Sequence, residues 1–132
     1  MQHDRFLLGA GGLAGAAGVA VAAAAAHTGG EHMQTASSFL LMHAPALLAI
    51  GLLARTRLLR FSGFVLLAGL ILFVGDLLAR DFLGDRLFPY AAPTGGTLLI
   101  IGWLLVFISA FFKPETQEQK APQQGQDASS PN

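Results

Sequence analysis

The sequence predicts an all-α integral membrane protein, a four-helix antiparallel bundle followed by a disordered tail. Three observations carry that reading. Of the 132 residues, 53% are hydrophobic and 12% are charged, a charge share about half that of a soluble globular domain. The apolar residues collect into four long runs, at 6–26, 37–54, 61–79 and 91–112. Glycine and alanine crowd those runs, as suits helices that pack closely in lipid. The formal net charge is zero and no basic block is present, so nucleic-acid recognition has no support. There is no cysteine, which removes disulfides, thiolate clusters and cysteine nucleophiles.

Each run is roughly 18 to 22 residues, enough to cross the hydrocarbon at about 1.5 Å per residue. In lipid the backbone must satisfy itself, and runs of this length without alternation do so as helices. The connections are short, at 27–36, 55–60 and 80–90, so consecutive helices are expected to be antiparallel neighbours.

The first run could instead be a cleaved signal peptide, because Arg5 precedes an apolar stretch that ends in an Ala-x-Ala pattern at 24–26. It is longer than an ordinary signal core, however, and its glycines are ordered. Gly11 and Gly15 form a small-xxx-small pair and Gly18 lies close to the same face, which favours a retained packing helix. The second run contains Pro45, which cannot donate to the carbonyl of Leu41 and should kink the helix there. In the fourth, Pro93-Thr94-Gly95-Gly96 reads as a helix opening whose glycines admit another backbone. Gly102 and Trp103 follow at mid-depth, where the indole could fill space against the smooth first helix.

Orientation follows the short basic flanks. Arg5, Arg55, Arg57, Arg60, Lys113 and Lys120 lie on one side, and Arg80 and Arg86 on the other. This places both termini in the cytoplasm of a bacterial cell, with the chain in the inner membrane. The stretch 113–132 is rich in Gln, Pro and Ser, cannot bury a core and is expected to be disordered.

With that orientation the polar residues of the spans fall in the outer leaflet as a candidate layer: His27, His43, Asp76, Arg80, Tyr90 and Thr94. Ionisable groups within spans are costly and mark function by default. Asp76 nevertheless has a structural explanation, because Arg80 lies one turn later in the favourable acid-before-base order and can snorkel to the interface. His43 could satisfy the turn that Pro45 strains or reach Asp76. A haem between His27 and His43 is conceivable but is disfavoured by their different depths. The segment His27-Thr28-Gly29-Gly30-Glu31-His32 holds metal-capable groups at no standard spacing. No catalytic set and no metal site emerge, and neither haem nor another cofactor is expected.

These residues carry a resemblance. Ala26-His27, Phe39 with His43-Ala44, Gly69 through Leu72-Phe73-Val74-Gly75, and Pro93, Gly95, Gly96, Gly102 and Trp103 resemble the motifs of the domain of unknown function 423, a family of small membrane proteins similar to transmembrane protein 256. The likeness covers about 6–112. Val74-Gly75-Asp76 stands where relatives carry a small Ser-Gly-Ser type segment, so any role for Asp76 is particular to this chain. The resemblance implies four helices and no established activity. The leading expectation is a non-enzymatic protein that packs as a homo-oligomer or as an accessory subunit of a larger membrane complex. The alternatives are a proton or small-solute conduit built on the His/Asp layer, and a haem-bearing redox subunit.

Overall fold

A computed structural model describes residues 3–114; the tail expected to be disordered lies almost entirely outside the described residues. The four helices are α1 (Arg5–Thr28), α2 (Glu31–Leu53), α3 (Arg57–Leu83) and α4 (Ala91–Ser109), each long and apolar enough to cross a membrane. All but α4 outrun their apolar stretches, because polar residues supply the terminal turns. The most marked case is α2, which starts at Glu31, so the connection expected at 27–36 shrinks to Gly29 and Gly30. Gly29 ends α1 at φ 75, a left-handed conformation that glycine adopts without steric cost.

The starts of α1 and α3 are closed locally. Asp4 accepts from the backbone N–H groups of Phe6 and Leu7 at the start of α1, and Thr56 accepts from that of Leu59 at the start of α3. The N–H of Asp4 also donates to the carbonyl of Gly51 at 2.8 Å, tying the beginning of α1 to the end of α2. Pro45 lies inside α2, which runs unbroken from Glu31 to Leu53.

Each helix packs on the next one in sequence, α1 on α2, α2 on α3 and α3 on α4, with a slight touch of α1 on α3. The central pair, α2 and α3, therefore carries most of the core, in which Leu7, Leu47, Leu66 and Leu70 are fully buried. No packing joins α1 to α4, so Trp103 does not fill space against α1 as its sequence position suggested.

Glycines set the interhelical distances. A Cβ on Gly95 would lie 2.5 Å from the backbone nitrogen of Phe73, and one on Gly69 would lie 2.9 Å from the carbonyl oxygen of Gly95, so α3 and α4 touch backbone to backbone. On α1 the tight positions are Gly11, which faces Leu48 and the carbonyl of Ala44, and Gly18, which faces Leu40 and Leu41. Gly15, between them, meets only the Ala44 methyl at 3.6 Å, an ordinary contact. Gly95→Ala is therefore expected to lower stability by about 2 kcal/mol or more through forced separation of the helices, while Gly15→Ala and Gly12→Ala leave it nearly unchanged. Thermal unfolding in mild detergent checks this, and equal melting points for the three variants would refute it.

Candidate polar site at one end of the bundle

Asp76 is the most deeply placed charge in the described fold, with a side chain of zero exposure. Its Oδ2 accepts from Nε and Nη2 of Arg80, at 2.9 and 2.8 Å. Its Oδ1 accepts from the backbone N–H of Leu87 at 3.0 Å. The i, i+4 spacing foretells the first pair. The second partner comes from the connection between α3 and α4, so this carboxylate also pins that loop over the end of α3. Arg80 is 31% exposed and can carry its charge to the interface while holding the buried acid.

One turn further on, Asp81 joins two helices. Its Oδ1 lies 2.8 Å from Nδ1 of His32, and its Oδ2 accepts from the backbone N–H of Met33 at 2.8 Å. Gly30, the residue that precedes α2, has no side chain to cap that helix. The carboxylate of Asp81 takes the place of the missing cap from across the bundle, and it neutralises the positive helix end. A Cβ on Gly30 would fall 2.6 Å from Oδ2 of Asp81, so the bare backbone is what lets the carboxylate in. The sequence gives no local sign of this partnership, because a trans cap lies about fifty residues away and follows no spacing rule.

His43 is buried in a different environment from the one anticipated. Its Nε2 receives the indole N–H of Trp103 at 3.2 Å, and its Nδ1 lies 2.8 Å from the carbonyl oxygen of Phe39. An indole can only donate, so Nε2 must be the bare nitrogen and Nδ1 carries the proton given to Phe39. The ring is thus a neutral imidazole with both nitrogens engaged. It stacks beside Phe39 at 5.8 Å between centroids, and Phe39 in turn meets Phe73 at 4.5 Å. His43 accordingly neither reaches Asp76 nor fills the gap that Pro45 leaves at Leu41.

The expected polar layer separates into levels. His27 is exposed at the end of α1, and its side chain makes no hydrogen bond to the described residues. Gly18 packs at the level of Leu40 and Leu41, which puts His27 and His43 roughly 17 Å apart along the bundle at about 1.5 Å per residue. The two are not placed to share a haem. Within the segment that held metal-capable groups, His32 is turned to Asp81 and Glu31 is exposed. Tyr90 and Thr94 are exposed as well, and Tyr90 precedes α4 at φ 70, an uncommon conformation for a bulky residue. Pro93 is exposed in the first turn of α4, Gly96 makes only a distant contact with the Phe73 ring, and a Cβ on Gly102 would press on Leu66 at 2.7 Å.

This arrangement belongs to a chain whose residues 13–96 match the family described as protein of unknown function, DUF423. The chain belongs to that family. It is similar to UPF0382 membrane proteins of known sequence: one from Staphylococcus aureus, 31% identical over 80 residues, which are 59% of this chain and 66% of the relative; and one from Haemophilus influenzae, 33% identical over 81 residues, 60% of this chain and 65% of the relative. A Staphylococcus epidermidis relative is 32% identical over 78 residues, 58% of this chain and 64% of its own length. The match thus spans slightly under two thirds of these relatives. No solved structure matches the chain. With four apolar helices and relatives named as membrane proteins, this is a membrane protein.

The Asp76–Arg80 pair yields an asymmetric prediction. Arg80 can turn to the interface if its partner is removed, whereas Asp76 cannot leave the core. Arg80→Gln should therefore cost about 3 kcal/mol, Asp76→Ser noticeably less, and the double variant less than the sum of the two. Unfolding of all four proteins in detergent measures the coupling, and additive losses would show that the pair contributes nothing.

Proposed function

We propose that this protein is a non-enzymatic packing subunit of the bacterial inner membrane, associating with copies of itself or with other membrane subunits, with both termini in the cytoplasm. One observation carries the reading: α1 turns a stripe of small residues outward, with the exposed side chains of Leu13 and Val19 at its edges. Gly9 and Gly12 have open space where a Cβ would stand, and Ala16, Ala20 and Ala23 continue the exposed face at helical spacing. The outward face of α4 is the opposite, a bulky surface of Ile100, Leu104 and Phe107, continued by Phe111 just past the helix, that suits acyl chains. Small residues in lipid favour a second helix, because they let backbones approach where lipid tails gain little.

The inward polar groups support the same reading. Both oxygens of Asp76 and of Asp81 and both nitrogens of His43 are committed to fold contacts, so none of these three side chains stands idle to relay a proton or hold a cofactor. A conduit built on these residues would have to break the contacts that hold the helices together. The orientation rests on the basic flanks, with Arg5, Arg55, Arg57, Arg60 and Lys113 at one end against Arg80 and Arg86 at the other.

The natural lack of cysteine makes the test direct. Ala16→Cys in native membranes should give disulfide-linked dimers or a cross-link to a co-purifying subunit, while Leu104→Cys on α4 should not. Gly12→Leu should abolish the association and leave the monomer folded. An Ala16→Cys protein that stays monomeric and captures nothing, with Gly12→Leu without effect, would sink the proposal. For the orientation, a C-terminal alkaline phosphatase fusion is expected to be inactive and a fluorescent protein fusion bright; the reverse would overturn it.

A further inference from the structure

At the end of the molecule opposite Asp76 and Asp81, three elements bring cations together: the start of α1, the turn after α2 and the first turn of α3. Among the described residues this end holds Arg5, Arg55, Arg57, Arg60 and Lys113 against a single carboxylate, Asp4, while the other end holds Glu31, Asp76, Asp81 and Asp85 against Arg80 and Arg86. The charge separation alone would attract any anion. What localises the attraction is the state of Arg60. Its Nε is buried and makes no hydrogen bond; it stands 3.7 Å from Oδ2 of Asp4, a loose ion pair, while the Arg60 side chain as a whole is 38% exposed. Asp4 is committed through its other oxygen to the backbone of Phe6 and Leu7, so its charge already serves the end of α1. A loose pair is a poor substitute for a hydrogen bond at a buried guanidinium N–H, among described residues whose other buried side-chain polar atoms are satisfied, and the exposed part of Arg60 can take an oxygen from outside the chain.

We propose that this corner binds the phosphodiester of an anionic phospholipid, anchored by Arg60 and assisted by Arg5 and Arg55. The guanidinium fork matches the paired oxygens of a phosphate. The position matches as well, because these arginines flank the membrane-crossing parts of α1, α2 and α3, at the depth where lipid phosphates lie. Arg5 and Arg55 are exposed and free to close on the headgroup. Acyl chains beneath it would lie against Phe6, Phe61 and Phe64, which are exposed on the first turns of α1 and α3, with the rings of Phe6 and Phe64 stacked at 5.8 Å. Charge above and an aromatic surface below are the two parts of an amphiphile site. The assignment is independent of whether α1 pairs with another helix.

The test uses the full chain in a neutral detergent, with native mass spectrometry counting bound phosphatidylglycerol and phosphatidylcholine. Phosphatidylglycerol is expected to bind about tenfold more tightly, with the preference shrinking as salt is raised. Arg60→Gln should weaken its binding about fivefold, and Arg55→Gln by a similar factor, since each basic residue near a headgroup contributes on that scale; neither should alter phosphatidylcholine. Arg55 makes no contact that the fold depends on, so its variant remains informative if Arg60→Gln proves unstable. Glu31→Gln at the far end should change nothing. Equal binding of the two lipids, or a preference untouched by both arginine variants, would overturn the proposal. Full competition by millimolar inorganic phosphate would also overturn it, by assigning the corner to a soluble anion.

Discussion

In hydrocarbon a polar group cannot turn to water, so each one must find its partner within the protein, and this constraint shapes the structure more than any single contact. Asp76 shows it most plainly. A fully buried carboxylate takes two nitrogens of Arg80 and one backbone N–H of the loop before α4, so the rule that satisfies the charge also fixes where α4 begins. Asp81 supplies the cap that Gly30 cannot, and the same economy joins α3 to α2. Trp103 and His43 repeat it at mid-depth, linking α4 to α2 by a side-chain bridge where the two backbones do not meet.

The second constraint is closeness. Lipid tails are as apolar as leucine, so burial alone does not drive these helices together and backbone proximity has to contribute. Gly69 and Gly95 provide it between α3 and α4, and Gly11 and Gly18 provide it between α1 and α2. At α1 the contact is reinforced by Ser37, whose hydroxyl donates to the carbonyl of Gly18 at 3.0 Å. The two outer seams are thus glycine seams, and Leu47, Leu66 and Leu70 are buried in the core between them.

Much of this was legible in the sequence, for stated reasons. Helix number and order follow from run length, and the Asp76–Arg80 pair from one-turn spacing. Helix ends were less legible, because Glu31 to Ala36 and Arg80 to Leu83 are too polar to extend an apolar run yet are helical once partners cap them. The polar layer is more spread than the apolar runs imply, because depth counted from the ends of those runs is not depth counted from the ends of the helices: α2 begins six residues before its run, which widens the separation already expected between His27 and His43. Gly15 stood at a motif position, but helix crossing selects Gly18. Asp81 could not be singled out at all, since an acid near a helix end ordinarily reads as a solvated turn, and only the folded chain shows which amide it faces.

The trans cap on α2 bears on how the chain is made. As α1 and α2 emerge, the first turn of α2 has bare amide groups and a glycine that offers nothing to cover them. Their acceptor, Asp81, lies about fifty residues later, past the whole of α3. The early hairpin therefore enters the bilayer with an open end, and the first turn of α2 receives this cap only after α3 has been made. Maturation of the first half is in this way timed by synthesis of the second.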